Sequence, residues 1–223
     1  MTDMLLECVE VETGPQPARA IIWLHGLGAD GHDFEPIVPE LDLRGLPPVR
    51  FVFPHAAVQP VTINGGMAMR AWYDIVASDL IRREDEAGIR ASQRHIERLI
   101  ERENQRGIPT EHIVLAGFSQ GCAMTLHTGL RHPARLAGLV ALSGYLPLAA
   151  SIAGERHPAN AGTPVFMGHG TADPVVAIDR AIASRDTLQQ LGYEVEWHAY
   201  PMPHSVCAPE LVDISAFLRR TLA

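Results

Sequence analysis

Short apolar runs of strand length alternate with longer amphipathic segments along most of this chain, and that alternation restricts the folds open to it. Continuous short apolar runs are typical of strands buried on both faces, as in a parallel sheet. Residues 193–200 instead alternate apolar and polar side chains, which predicts a half-exposed strand near an edge of the sheet. Buried strands are predicted at residues 20–24, 49–53, 113–116, 138–142 and 165–167.

Amphipathic helices are predicted between and after these strands, and three of them end at a Gly or Pro signal. Alternating strands and helices of this kind indicate the α/β class, with a mostly parallel central sheet and helices on both faces. Nothing in the sequence resembles a linker or a repeat, so we expect a single domain over residues 1–223. The helices are predicted at residues 84–106, 120–131, 179–191 and 210–222.

The charged residues argue against several classes of function. A net charge of -8 disfavours binding to nucleic acids and to anionic membrane surfaces. All 18 basic residues are arginine. Without lysine, the chain lacks the residue needed for a Schiff base, a pyridoxal phosphate site, a P-loop or a Ser-Lys dyad.

The cysteines and the apolar stretches indicate the cellular location of the protein. Three widely spaced cysteines do not suggest a disulfide framework, which favours a reducing compartment. Residues 1–7 are acidic where a secretory signal is basic, and no apolar core follows them. The longest apolar stretch, residues 136–150, is interrupted by Gly, Ser and Pro and is shorter than the roughly 20 residues of a membrane span. We therefore expect a cytoplasmic protein with no stable membrane insertion.

A serine between two glycines follows the predicted strand at residues 113–116. The sequence Gly117-Phe118-Ser119-Gln120-Gly121 then leads directly into a predicted helix. A strand, a sharp turn and a helix form the nucleophile elbow, in which crowding of the backbone requires glycine on both sides of the serine. The motif by itself is short, but its position makes Ser119 the candidate nucleophile.

The order of residues along the chain indicates the partners of Ser119. In sheets with an elbow serine, the acid and then the histidine follow the serine in sequence, beyond the carboxyl ends of later strands. Asp173 lies in a Gly- and Pro-containing turn just after the strand at residues 165–167. Of the histidines after Asp173, His198 falls within a predicted strand, whereas His204 follows it in a proline-restricted loop. We therefore favour His204 as the base, with Asp173 orienting it.

Backbone N–H groups that stabilise a developing oxyanion are predicted at two positions. The first is the N–H of Gln120, the residue after the candidate nucleophile. The second is the N–H of Leu27, in the loop His25-Gly26-Leu27-Gly28 after the first predicted strand. Its neighbouring glycines allow the unusual backbone path that such a donor requires.

Residues 26–31 also match the G-x-G-x-x-G pattern of dinucleotide sites. That interpretation requires an acidic residue at the end of the next strand, and this strand ends in Phe53-Pro54-His55 instead. The histidines are scattered, and no H-E-x-x-H or paired-cysteine motif occurs. We expect neither a cofactor nor a metal ion, and we interpret Cys122 as a small buried residue.

With these residues in place, the chain resembles the phospholipase/carboxylesterase family of α/β-hydrolases over residues 20–222. The likeness rests on several motifs in the right order, whose residues are 23–28, 72–75, 115–121, 169–176, 200–202 and 204. The resemblance implies an α/β-hydrolase fold and a Ser119, Asp173 and His204 triad. It also implies that residues 62–72 form a substrate-binding loop, with Asn64, Gly65 and Trp72 around an acyl groove.

Three positions depart from the family pattern. Cys122 and Pro203 stand where the family usually has glycine, and Ser205 replaces a usual glutamate. The cysteine is expected to crowd the start of the elbow helix. The proline is expected to stiffen the loop that carries His204 and to alter rate or pH profile rather than remove the triad.

The resulting hypothesis is a serine carboxylesterase that hydrolyses short- to medium-chain acyl esters through an acyl-enzyme intermediate. An acyl-protein thioesterase or lysophospholipase using the same residues is the nearest alternative, because both substrate types pass through an acyl-serine. A hydrolase fold that only binds a small molecule is the alternative from another class. The methionine-rich segment at residues 67–69 suits variable acyl chains and equally suits a homodimer contact.

Overall fold

The computed structural model describes residues 5–76 and 84–223, and a mostly parallel sheet of seven strands forms its centre. The strands lie in the order β1-β3-β2-β6-β7-β8-β9, and only β1 runs antiparallel to its neighbour. The strands of this sheet are β1 (Cys8–Glu12), β2 (Arg19–Leu24), β3 (Val49–Pro54), β6 (Ile113–Phe118), β7 (Gly138–Leu142), β8 (Val165–Gly170) and β9 (Val195–Tyr200).

Helices cover both faces of the sheet. Consecutive residues of β2 show why, since Ile21 belongs to one buried apolar cluster and Ile22 to the other. Helices α1, α2 and α4 contribute to the Ile22 cluster, and α5 contributes to the Ile21 cluster. The helices are α1 (Glu86–Gln105), α2 (Gln120–Arg131), α3 (Ile152–Glu155), α4 (Ile178–Gln190) and α5 (Ala208–Thr221).

The structure confirms the α/β class and the predicted strands and helices, with shifts of a few residues at their ends. Helix α1 begins at Glu86 rather than at residue 84, because the carboxylate of Asp85 caps it by accepting a hydrogen bond from the Gly88 N–H. The half-exposed strand at residues 193–200 is β9, the last strand of the sheet. Residues 1–4 of the acidic N-terminal segment lie outside the described residues. In the part of the chain that the structure describes, no helix has the length and apolar character needed to cross a bilayer.

Two strand features, as well as the short helix α3, have no counterpart in the sequence prediction. Strand β1 pairs with β3 at the other edge of the sheet, where its Glu12 forms an ion pair with Arg50. A hairpin of β4 (Val58–Val61) and β5 (Met67–Arg70) stands apart from the main sheet. Met67 on this hairpin is 64% exposed. The homodimer contact through residues 67–69 stays a prediction, which the concentration dependence of the size in solution would test.

The side chain of Glu210 is a buried carboxyl group that packs against strand β8. Glu210, in the first turn of α5, is fully buried and lies directly against the backbone of Gly168 on β8. Burial is the main cause that raises the pKa of Glu210 from its usual value of 4.5 to about 8, and the nearby Asp213 adds to the effect. Glu210 is therefore protonated in the folded protein at neutral pH.

We expect the free energy of unfolding of Glu210→Gln to increase relative to that of the wild type as the pH rises from about 4.5 to about 8. In that window the folded wild type holds one more proton than the unfolded chain, so its free energy of unfolding falls by up to ~1.4 kcal/mol per pH unit. Glutamine keeps the shape of the neutral acid and does not titrate. Urea unfolding of both proteins at pH 4.5, 6 and 8 measures the difference. Equal stability differences at all three pH values would contradict the raised pKa.

Candidate active site

Ser119 occupies the turn between β6 and α2 in an unusual backbone conformation. Its φ of 56° and ψ of -115° place it in a region that side-chain-bearing residues rarely adopt. A Cβ on Gly117 would overlap the Gly121 backbone, and one on Gly121 would overlap the backbone of Leu24 on β2. Both glycines are therefore required, as the spacing of the elbow motif predicts. The Ser119 N–H donates to the Leu142 carbonyl at 2.8 Å, which ties the turn to β7.

A continuous hydrogen-bonded chain joins Ser119, His204 and Asp173. Ser119 Oγ lies 2.9 Å from His204 Nε2, and His204 Nδ1 lies 2.6 Å from Asp173 Oδ2. The carboxylate is fully buried, and its other oxygen accepts the N–H groups of Val175 and Val176 at 2.8 and 2.9 Å. These two bonds fix the plane of the carboxylate. One oxygen is thereby directed at the imidazole.

The loops that carry the acid and the histidine leave neighbouring strands. Asp173 follows β8, His204 follows β9, and the Ala172 N–H donates to the Met202 carbonyl at 3.2 Å. The Phe118 ring packs against the His204 ring, with centroids 4.6 Å apart. His198 lies elsewhere on β9, stacked on Phe166 and bonded to Glu196. The structure thus brings His204, and not His198, to Ser119.

The two candidate oxyanion donors border the same cavity as Ser119. Leu27 and Gln120 both line this cavity, and a Cβ on Gly26 would lie 3.5 Å from the Ser119 Cβ. Gln120 is the first residue of α2, so its N–H has no acceptor within the helix. Among the described residues, neither the Leu27 N–H nor the Gln120 N–H donates to a backbone carbonyl. The prediction that these two N–H groups stabilise an oxygen beside Ser119 is consistent with this placement.

His25 holds the backbone path of the Leu27 loop. Its Nδ1 lies 2.7 Å from the Gly26 carbonyl, and its Nε2 accepts the Ala56 N–H at 3.0 Å. Burial lowers the pKa of His25, so the ring is neutral with one donor and one acceptor nitrogen, as these two bonds require. The imidazole therefore acts as a fixed brace between the loop and the segment after β3.

The three predicted residues of the substrate loop have different positions. Asn64 lines the cavity beside Ser119. Gly65, at φ 68°, forms the exposed turn before β5 and is not among the lining residues. Trp72 is 2% exposed, and its indole N–H donates to the His25 carbonyl at 2.9 Å rather than facing the cavity. Trp72 thus anchors the base of this loop.

The Gln120 side chain ties that loop to the elbow. Its Oε1 accepts the Trp72 N–H, and its Nε2 donates to the Tyr73 carbonyl, both at 2.8 Å. Sequence analysis assigned Gln120 only a backbone role, because a side-chain contact 48 residues away leaves no local signal.

The cavity beside Ser119 has a volume of about 290 Å³ and a mostly apolar wall. The sequence prediction assigned no individual role to most of these wall residues, although Ile63 lies within the predicted substrate loop at residues 62–72 and four others lie within motifs at residues 72–75 and 169–176. The lining residues to which it assigned no individual role are Ile63, Tyr73, Ile75, Tyr145, Val175 and Val176.

The departures from the family pattern leave the site intact. Cys122 is buried, and Gly144 makes room for it, since a Cβ on Gly144 would clash with the Cys122 side chain. Burial raises the pKa of the Cys122 thiol well above its usual range, so it remains a neutral thiol. Beside His204, the Ser205 N–H donates to the Pro203 carbonyl at 2.9 Å in a tight turn.

Within residues 5–76 and 84–223, no three His, Cys, Asp or Glu side chains are grouped to hold a metal ion.

Comparisons with known proteins agree with this architecture. The acyl-protein thioesterase 1 of Neurospora crassa is 46% identical over 212 residues, which cover 91% of this chain and 86% of that protein. The acyl-protein thioesterase 1 of Mycosarcoma maydis is 42% identical over an alignment that covers 96% of this chain and 95% of that protein. The crystal structure of Arabidopsis thaliana SOBER1 matches with a TM-score of 0.87 and 33% identity, over 92% of this chain and 99% of that one. The sequence profile of the phospholipase/carboxylesterase family matches residues 6–222, and the chain therefore belongs to that family of α/β-hydrolases.

Proposed function

We propose that this serine hydrolase cleaves acyl thioesters and acyl esters through a covalent acyl-Ser119 intermediate. The observation that carries the proposal is the chain of hydrogen bonds from Ser119 Oγ through His204 to the buried Asp173. Ser119 lines a cavity with a mostly apolar wall, which suits an acyl group. The N–H groups of Leu27 and Gln120, which donate to no backbone carbonyl of the described residues, suit a carbonyl oxygen.

The proposed reaction has two steps. In the first, His204 Nε2 takes the Ser119 proton while Oγ bonds to the carbonyl carbon, and Asp173 stabilises the imidazolium. The carbonyl oxygen becomes negative and accepts hydrogen bonds from Leu27 and Gln120, each worth about 3 kcal/mol in comparable sites. The C–O or C–S bond then breaks, and His204 returns the proton to the leaving alcohol or thiolate. Water repeats the sequence on the acyl-serine and releases the acid.

The relatives favour the thioester as the preferred substrate class. Two curated proteins at 46% and 42% identity are named acyl-protein thioesterase 1. Ester and thioester hydrolysis share the acyl-serine, and a thiolate leaves with less help from an acid than an alkoxide does. The machinery described above therefore serves both bonds, and the names of the relatives support the thioesterase alternative over the short- to medium-chain carboxylesterase predicted from the sequence.

Matched substrates separate these two activities. We compare S-ethyl octanethioate with ethyl octanoate, because both place the same acyl group in the cavity. We expect the thioester to have the higher kcat/KM, measured by release of octanoate, because a thiolate leaves with less help from an acid. The opposite order would restore the carboxylesterase prediction. A p-nitrophenyl ester series from acetate to palmitate then measures the preferred chain length. Preferential hydrolysis of a lysophosphatidylcholine over both ethyl substrates would instead support the lysophospholipase alternative.

A further inference from the structure

Two tyrosines from separate loops meet in the wall of the cavity beside Ser119. Tyr73 follows the β4–β5 hairpin, and Tyr145 follows β7. Both line the cavity, and their hydroxyl oxygens lie 3.0 Å apart, within hydrogen-bond distance. The rest of the wall consists of five aliphatic residues together with Asn64, Ser119 and Gln120, so the two tyrosines add a pair of hydroxyls to a mostly apolar wall.

Both tyrosines are held in place by contacts on their far sides. The Tyr73 carbonyl accepts a hydrogen bond from the Gln120 side chain at 2.8 Å, and the Tyr73 side chain is buried. The Arg180 guanidinium lies over the Tyr145 ring, 5.3 Å from its centroid, and the following residue donates its N–H to Ser184 Oγ at 2.8 Å. The hydroxyl pair is therefore preorganised rather than free to turn away from an apolar ligand.

The mutual contact leaves hydrogen-bonding capacity unused. Each hydroxyl offers one hydrogen and two acceptor lone pairs, so a bond between them consumes only one of the two hydrogens. Among the described residues, no other hydrogen bond is made by either oxygen. Burial raises the pKa of Tyr145 to about 12 and that of Tyr73 well above 10, so both remain protonated. With respect to residues 5–76 and 84–223, one hydroxyl hydrogen is thus left as a donor.

We infer that the Tyr73–Tyr145 hydroxyl pair determines acyl specificity, by favouring acyl chains that carry an oxygen acceptor over plain alkyl chains of equal length. A plain methylene chain covers the pair and leaves its spare hydrogen without water or any other acceptor. A keto oxygen on the acyl chain accepts that hydrogen. Sites that contain a hydrogen-bonding group discriminate strongly against an analogue that lacks its partner. The inference rests on the proposed function, because it assigns the acyl group to this cavity.

The test compares p-nitrophenyl hexanoate with the p-nitrophenyl esters of 4-oxohexanoate and 5-oxohexanoate. We expect wild-type kcat/KM to favour at least one oxo ester by about tenfold or more, once intrinsic reactivity is corrected with the rates of alkaline hydrolysis. The double variant Tyr73→Phe/Tyr145→Phe, which removes both hydroxyls and with them the spare hydrogen, is expected to abolish the preference, by lowering the rate on that oxo ester and raising the rate on hexanoate. Each single variant still holds one hydroxyl hydrogen and is expected to keep part of the preference. Tyr193→Phe, which removes a buried hydroxyl of a residue that does not line this cavity, is the matched control and is expected to keep the preference.

Equal rates on all three esters in the wild type, or the same factor of change on each ester in the double Phe variant, would overturn the inference. The p-nitrophenyl acetate rate separates this result from a failure of the proposed function, because an acetyl group has no chain to reach the tyrosines. Acetate hydrolysis that depends on Ser119, together with no oxo preference, would reject the hydroxyl pair alone. Acetate hydrolysis independent of Ser119 would reject the proposed function itself.

Discussion

Replacing Ser119 with alanine is expected to lower kcat by about four to six orders of magnitude on any acyl substrate that the wild type hydrolyses. The change removes the only atom that is proposed to bond to the carbonyl carbon. It leaves His204, Asp173 and the two backbone donors in place. Residual activity then reflects water attacking the bound substrate, assisted by the remaining groups. Steady-state hydrolysis of p-nitrophenyl esters, with enzyme at high concentration for the variant, measures this range.

The loss is expected without loss of the fold. Alanine occupies the same strained turn as serine, so the main structural cost is the hydrogen bond to His204 Nε2, worth about 1 kcal/mol. Urea unfolding of Ser119→Ala checks this expectation. The matched control is Ser205→Ala, which removes another hydroxyl one residue from His204 and is expected to keep kcat within a few fold.

Covalent labelling provides a second test of the role of Ser119. A fluorophosphonate probe is expected to react once per chain in the wild type and in Ser205→Ala, and not at all in Ser119→Ala. Labelling at a different residue, or kcat for Ser119→Ala within tenfold of the wild type, would remove Ser119 from the mechanism. Absence of both labelling and hydrolysis in the folded wild type would favour the alternative of a fold that only binds a ligand.

The sequence was most informative where a structural requirement is local. Residues of β2 alternate between two apolar clusters, so an uninterrupted apolar run already indicates burial on both faces. The glycines at positions 117 and 121 are required by backbone contacts within one turn, so their spacing alone predicts the elbow. Strand β1 escaped prediction because it is short and only half-buried, and glutamates occupy two of its five positions.

The partners of Ser119 could be predicted because topology converts chain order into position. Neighbouring parallel strands end at the same edge of the sheet, so turns after β8 and β9 meet there whatever their exact sequence. No comparable rule relates chain order to the residues that form the cavity wall. Tyr73 and Tyr145 are oriented by a glutamine side chain from the elbow and an arginine from α4, contacts that span 47 and 35 residues respectively. Trp72 shows the same limit, because its motif does not reveal that the indole faces the Leu27 loop.

Replacing Asp173 with asparagine is expected to lower kcat by about four orders of magnitude near neutral pH. The geometry explains why so small a change has so large an effect. The N–H groups of Val175 and Val176 both donate to Asp173 Oδ1, so an asparagine keeps its carbonyl oxygen there and turns its amide toward His204. The amide donates to Nδ1, which must then be the unprotonated nitrogen. The remaining ring proton lies on Nε2, facing Ser119, and His204 cannot accept the serine proton.

This prediction distinguishes an orienting acid from a carboxylate that only stabilises the loop. Asp173→Asn retains both backbone hydrogen bonds, so we expect KM to change little, the free energy of unfolding to fall only modestly, and fluorophosphonate labelling of Ser119 to become far slower. Asp179→Asn, an exposed substitution at the start of α4, is the matched control and is expected to leave kcat unchanged. A kcat for Asp173→Asn within tenfold of the wild type would mean that His204 does not depend on Asp173 for its tautomer. A loss of kcat that is matched by equal loss of folded protein would make the role of the carboxylate structural.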